Sequence, residues 1–204
     1  MGDKAVPSPN QDTGLFIGYI NLPTSLTLGG IVLACMSVVY ALKGSLPLAA
    51  ICLIYAGICD LFDGMVARKC TLSQGEQEFG IHIDTVADMA SFGVAPVFIL
   101  LNSGLTEPIE IAAMLLYTCC AGIRLAYFNS QAVKSDEPML YFTGLPVTYA
   151  AVIFPLVMYF AYTPNQGLTR LPMLIALVVV AFFFVLRIRV PKLRGIFYVI
   201  FPIL

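Results

Sequence analysis

Long apolar runs separated by short polar breaks dominate the chain. The runs fall at about 24–42, 46–66, 84–102, 109–128, 143–162 and 171–187. Each reaches or nearly reaches the ~20 residues that a hydrocarbon core requires of a spanning helix. Backbone N–H and C=O groups find no water at that depth. A helix pairs them internally, so each run predicts a helix. The second and third runs carry Asp at the ends that face one another, and a polar connection over 67–82 joins them. The expected fold is all-α: one membrane domain, 1–204, with a six-helix transmembrane bundle over 24–187. Residues 1–20 are a polar leading segment. Residues 188–204 are a tail, basic and then apolar, whose apolar end is too short to span.

Composition agrees with this picture. Of 204 residues, 59% are hydrophobic and 11% charged, against about 25% charged in soluble domains. Mean hydropathy is +0.90. The net charge of −1 argues against a nucleic-acid partner. The start, MGDKAVPSPNQDTG, has no basic stretch followed by an apolar one, so no cleavable signal peptide is expected. Gly2 alone makes a poor case for myristoylation. Cys35, Cys52, Cys59, Cys70, Cys119 and Cys120 form no CxxC pair and have no His at ligand spacing. They read as small buried hydrophobes. Six spans place both termini on one side. That side would hold Lys4, Arg68, Lys69, Lys134, Arg187, Arg189, Lys192 and Arg194, with Arg124 near it; the other would hold Lys43 and Arg170. The bias predicts cytoplasmic termini, with the 67–82 connection and its Asp residues facing the cytoplasm of the cell membrane.

The chemistry concentrates in residues 59–93, CDLFDGMVARKCTLSQGEQEFGIHIDTVADMASFG. On a helix, Asp60 and Asp63 lie about 60° apart and one turn along. Gly80, Asp84 and Asp88 step by four and share one stripe. Two helices joined by the connection can turn four carboxylates toward each other. Gly64, Ala67 and Gly80 among them let backbone or ligand approach closely. Each buried charge costs about 2.5–3.5 kcal/mol even on the lower scales. Arg68, with Lys69 more weakly, supplies the nearby positive charge, which leaves an excess of negative charge. Hard divalent cations with oxygen ligands, Mg²⁺, Mn²⁺ or Ca²⁺, would neutralise it. Two ions about 3.5–4 Å apart would make a phosphoryl-transfer clamp. An acidic cation pathway in a transporter is the alternative.

This run resembles the signature of the CDP-alcohol phosphotransferase family: D-x-x-D-G-x-x-A-R at Asp60–Arg68, a spacer, then G-x-x-x-D-x-x-x-D at Gly80–Asp88. The 11 residues between Arg68 and Gly80 exceed the family's usual spacer, and the polar loop Thr71–Glu78 can absorb them. The resemblance implies six helices, a cytoplasmic active site and two divalent ions, Mg²⁺ or Mn²⁺. It implies metal ligation by Asp60, Asp63, Asp84 and Asp88, with Asp88 also the catalytic base. It implies a CDP pocket at Asp60, Gly64, Ala67 and Arg68. A homodimer is a further implication.

SFGVAP (91–96), RLAYFN (124–129) and YFTGLPVTYAA (141–151) are similar to the branch of that family whose acceptor is serine. NLPTSLT (21–27) loosely resembles the polar start of the family's first helix. A guanidinium at Arg124 can hold a carboxylate in bidentate fashion, or snorkel to a lipid phosphate. Asn129 can bond an ammonium or a phosphate oxygen, or cap a helix. Gly144 and Pro146 would shape the start of the fifth span. His82 lies off the Asp stripe and reads as a loop or helix-start residue. Glu76, Glu78, Asp136 and Glu137 read as solvated loop charges.

The implied reaction transfers the phosphatidyl group of CDP-diacylglycerol to the hydroxyl of L-serine, giving phosphatidylserine and CMP. A sister enzyme using glycerol 3-phosphate or inositol, and a divalent-cation transporter, are the competing expectations.

Overall fold

A computed structural model describes residues 17–132, 141–163 and 167–191. Helix α1 (Leu22–Leu42) opens on Asn21, whose side chain accepts from the Thr24 N–H. This bond satisfies one of the orphan donors of a helix start. Helix α2 (Leu46–Ala67) follows after a tight turn at Gly44, which adopts φ +76°. Helix α3 (Gln74–Asp88) continues through a π-helical turn (Met89–Val94) into α4 (Ala95–Asn102). Helices α5 (Pro108–Ala132), α6 (Ala150–Ala161) and α7 (Arg170–Val185) complete the bundle. Two short antiparallel pairings tie the connections: β1 (Tyr141–Thr143) with β4 (Arg189–Pro191), and β2 (Tyr162–Thr163) with β3 (Gly167–Leu168).

Four helical stretches are long and apolar enough to cross a membrane: Leu22–Leu42, Leu46–Ala67, Gln74–Asn102 and Pro108–Ser130. Val147–Ala161 and Arg170–Val185 are shorter apolar helices. The outward surface carries Leu115, Leu116, Phe160, Leu171 and Phe182, all exposed. Such a surface suits lipid rather than water, and the protein is an integral membrane protein.

Small residues set the closest packing. Helix α1 buries Gly30, Ala34, Ser37 and Ala41 along one stripe, and α2 buries Ala49, Leu53, Ala56 and Gly57. A Cβ added at Gly30 would stand 3.4 Å from the Cys59 Cβ and 3.6 Å from the Ala56 carbonyl oxygen. Lipid tails are as apolar as Leu, so contact of this closeness is what holds two such helices together. A second centre forms around Tyr117 of α5, whose ring lies 5.3 Å from Phe154 of α6 and 5.4 Å from Phe184 of α7.

Four expectations need correction. The polar connection is shorter than 67–82, because α3 begins at Gln74. Ser73 and Glu76 form a reciprocal capping box there, and Asn21 also donates to Glu76. Glu76 is therefore a capping residue and no loop charge. Glu78, likewise helical, accepts from Gln74. His82 sits exposed within α3. The six cysteines are free, but only Cys120 is buried; Cys52, Cys59 and Cys70 are partly buried, and Cys35 and Cys119 are exposed. Asp136 and Glu137, the polar segment 1–16, and 192–204 of the tail lie outside the described residues.

Candidate active site

The carboxylates come together where the last turns of α2 meet the last turns of α3. Asp60, Asp84 and Asp88 each present an oxygen, and these oxygens lie within 4.8 Å of one another. Asp88 is buried, and Asp60 and Asp84 are partly so. Asp63 lies beside that group rather than in it. Its Oδ2 accepts from the Thr27 hydroxyl of α1 at 2.6 Å, and it is 5% exposed. A cavity large enough for about one water adjoins Asp60, Asp63 and Asp88, and Thr27 and Ser91 also line it.

A second hydroxyl holds Asp60. Thr148 donates to its Oδ2 at 3.0 Å. Thr148 belongs to a 3₁₀ turn (Val147–Tyr149) that begins after Pro146. Gly144 sets the approach, with φ +79° and its N–H on the Ile188 carbonyl at 2.9 Å. The Leu145 N–H donates to the Phe183 carbonyl at 3.0 Å. Gly144 and Pro146 thus shape the entry to α6 as expected. They also deliver Thr148, which the sequence alone did not single out.

Arg124 lies on α5 beside the cluster, close enough for its charge to act on Asp88 and Asp60. It is 6% exposed, so it does not snorkel. Its guanidinium carbon sits 5.0 Å from the Phe128 ring centroid, and Nε has no hydrogen-bond partner. A buried donor without a partner is costly unless a ligand completes it. Asn129 is not a helix cap, since α5 runs on to Ala132. Its Nδ2 donates to the Thr85 hydroxyl at 2.7 Å, and Thr85 donates to the Ile81 carbonyl. Thr85 has one hydrogen, already spent, so it can only accept from Asn129. The amide nitrogen must therefore face Thr85, which leaves the Asn129 oxygen as an acceptor without a partner among the described residues.

Gly64 and Gly80 flank the cluster. A Cβ at Gly80 would meet open space, and one at Gly64 would meet the Arg68 guanidinium at 3.6 Å. Arg68 itself is exposed, at the C-cap of α2. Ala67 ends the helix one residue before it.

Directly after Asp88 the helix widens into the π turn. Pro96 has no N–H to give the Phe92 carbonyl four residues back. The Tyr117 hydroxyl donates to that carbonyl instead, and the Thr118 hydroxyl donates to Gly93 O at 3.2 Å. Pro96 was the only signal of this turn in the sequence.

The donor set suits a metal ion. Three carboxylate oxygens converge, no Lys or Arg forms an ion pair with them among the described residues, and hard divalent cations take such oxygen ligands.

The sequence model for "CDP-alcohol phosphatidyltransferase" matches residues 20–186. A Mycobacterium leprae protein named CDP-diacylglycerol–serine O-phosphatidyltransferase is 39% identical over 136 residues, 64% of this chain and 44% of that protein. A Helicobacter pylori protein of the same name is 32% identical over 181 residues, covering 85% of this chain and 73% of the relative. An archaetidylserine synthase from Methanothermobacter thermautotrophicus is 32% identical over 153 residues, 74% of this chain and 59% of that protein. The chain thus spans about half the length of the mycobacterial relatives it matches. A carboxylate cluster on two adjoining helices, in a chain matched over nearly all its described length, has one source: the protein belongs to the CDP-alcohol phosphatidyltransferase family.

Proposed function

We propose that the protein is a phosphatidylserine synthase, transferring the phosphatidyl group of CDP-diacylglycerol to L-serine and releasing CMP. The observation that carries this reading is the juxtaposition of the Asp60–Asp84–Asp88 cluster with one buried, incompletely bonded guanidinium, Arg124. The names of the relatives point to the same acceptor.

Asp60, Asp63, Asp84 and Asp88 would hold two divalent ions, Mg²⁺ or Mn²⁺. Such ions, when bound, neutralise charge on a diphosphate and on a transferring phosphoryl group. Thr148 and Thr27 fix the carboxylates of Asp60 and Asp63. Gly64, Ala67 and Arg68, with Asp60, line the space for the CDP moiety, where the missing side chains of Gly64 and Gly80 leave room. Serine enters beside Arg124. The guanidinium holds its carboxylate, and the Asn129 oxygen accepts from its ammonium. Asp88 takes the proton from the serine hydroxyl. The serine oxygen then bonds the phosphorus that carries diacylglycerol, and the bond from that phosphorus to the bridging oxygen breaks. The electron pair leaves with CMP. A phosphorylated acceptor would call for more cations than Arg124, the one buried among the described residues.

In this reading the chain is a single membrane domain of six crossings, with α6 and α7 as the last two. The 16 residues of α7 span about 24 Å, short of the ~30 Å core. The β2–β3 hairpin between α6 and α7 extends the pair at one end. Arg68, Lys69 and Arg187 lie at the end of the bundle that carries the site, and Lys43 and Arg170 at the other. That bias favours a cytoplasmic active site in the cell membrane. A homodimer is part of the proposal.

The test is CMP release by the purified protein given CDP-diacylglycerol and Mn²⁺ or Mg²⁺. Release should require serine, cease with a chelator, and fall by roughly 10²–10⁴-fold in Asp88→Asn. Release driven by another alcohol and not by serine would discard the serine assignment.

A further inference from the structure

The stretch that leads into α1 grips the first turns of α3. Gly18, Tyr19 and Asn21 lie against Gly75, Glu76 and Phe79. Two rings and two glycines interlock there. The Tyr19 ring meets the Phe79 ring edge-on, with centroids 5.9 Å apart. A Cβ at Gly75 would stand 2.7 Å from the Tyr19 hydroxyl, and one at Gly18 would stand 2.8 Å from the Phe79 ring. Gly18 also has φ +93°, a conformation that residues with a side chain rarely adopt. The Asn21 amide donates at 3.3 Å to Glu76, the residue that closes the capping box of α3. One short segment thus ties the start of α1 to the start of α3.

At 100° per residue, Asp84 and Asp88 lie about 150° round the helix from the centre of Gly75, Glu76 and Phe79. The segment therefore bears on the back of α3, and the carboxylates are on its front. Three carboxylates with oxygens within 4.8 Å of one another repel when charged. That repulsion pushes α3 away from α2, and a support behind α3 resists it. Asn129 of α5 holds the flank at Thr85, one residue past Asp84. Gln77, Glu78, Ile81 and His82 are exposed, so the lead-in segment is where this half of the helix is packed.

We infer that Tyr19 and Phe79 are positioning residues: their interlock holds α3 against α2 so that Asp84 and Asp88 meet Asp60 in the geometry a divalent ion requires. The inference rests on the metal reading of the cluster above and is independent of the acceptor alcohol.

The experiment measures Mn²⁺ binding to the full chain in detergent, without substrate, from the loss of the free-ion electron paramagnetic resonance signal. Tyr19→Ala and Phe79→Ala should each raise the Kd roughly tenfold, the lower end of the range for groups that orient metal ligands. Tyr19→Phe keeps the ring and should bind as the unaltered protein does. The double variant Tyr19→Ala/Phe79→Ala should be no weaker than the worse single, because both remove one shared contact. Arg170→Ala breaks the ion pair with Glu107 at the other end of the bundle and should leave the Kd unchanged. A lower thermal midpoint in Tyr19→Ala with an unchanged Kd would make the interlock purely structural and overturn the inference. So would additive losses in the double variant, or an equal rise in Arg170→Ala. Where Tyr19→Ala does not fold, Tyr19→Leu takes its place with the same expectation. An unaltered protein that binds no Mn²⁺ would sink the metal reading and this inference together. A Kd that moves as expected, in a protein that releases no CMP with serine, would discard the serine assignment and leave the positioning role standing.

Discussion

Two hydroxyls do for this site what charged partners do elsewhere. Thr27 and Thr148 come from opposite ends of the sequence and each fixes one carboxylate of α2. Removing such an orienting partner costs about 10–100-fold in metal affinity or activity. Thr148→Val should therefore raise the Mn²⁺ concentration for half-maximal CMP release by a factor in that range, and Thr148→Ser should restore it. A metal titration of the three proteins decides the matter; identical curves would show that the bond is incidental. The four Asp residues were legible in the sequence because a stripe at i, i+4 can be read from spacing alone. Their division into a cluster of three and a separate Asp63 was not. It depends on Thr27 reaching across from another helix, and no spacing within 59–93 encodes that reach.

Elements behave similarly. The apolar runs located the helices to within a few residues for α1, α2 and α5, since each is bounded by turn or polar residues. The start of α3 was missed because residues 74–78 carry no apolar side chain and 79–83 only alternate ones, and hydropathy is silent about a helix that begins outside the apolar region. Its signal was local: Ser73 followed three residues later by Glu76. The π turn after Asp88 depends on α5, because Tyr117 supplies the donor that Pro96 cannot. Tyr117→Phe would keep the ring stacking on Phe154 and Phe184 and leave the Phe92 carbonyl buried without that partner. The expected loss is about 1–3 kcal/mol, read as a lower midpoint for thermal unfolding in detergent. An unchanged midpoint would mean that the turn needs no support from α5.

At the scale of the molecule, the arrangement is a bundle whose chemistry sits at one end. Lys43 follows α1 and Lys69 follows α2, so they mark opposite ends of the antiparallel pair. Single cysteines in their place, in a background with the native cysteines replaced, should react with an impermeant thiol reagent from opposite faces of sealed vesicles. Lys69→Cys should label only when the cytoplasmic face is accessible. Labelling of both from one side would refute the crossing of α1 and α2. Six apolar runs were readable from hydropathy, and four helical stretches among them are long and apolar enough to cross a membrane. The short length of α6 was not, because the run at 143–162 includes residues that form a 3₁₀ turn and strand pairings at its ends, whereas α7 nearly fills the run at 171–187.

The turn at Gly144–Tyr149 touches the far end of α7 through two backbone bonds and Asp60 through Thr148. A chain made from its N-terminus assembles α2 and α3 early, yet the turn that orients Asp60 leans on carbonyls of residues made later, in α7 and just after it. A growing chain therefore carries all four carboxylates before it can fix Asp60. If the proposed transfer is the reaction, competence for it waits for α7, and α2 with α3 alone would not consume an activated lipid.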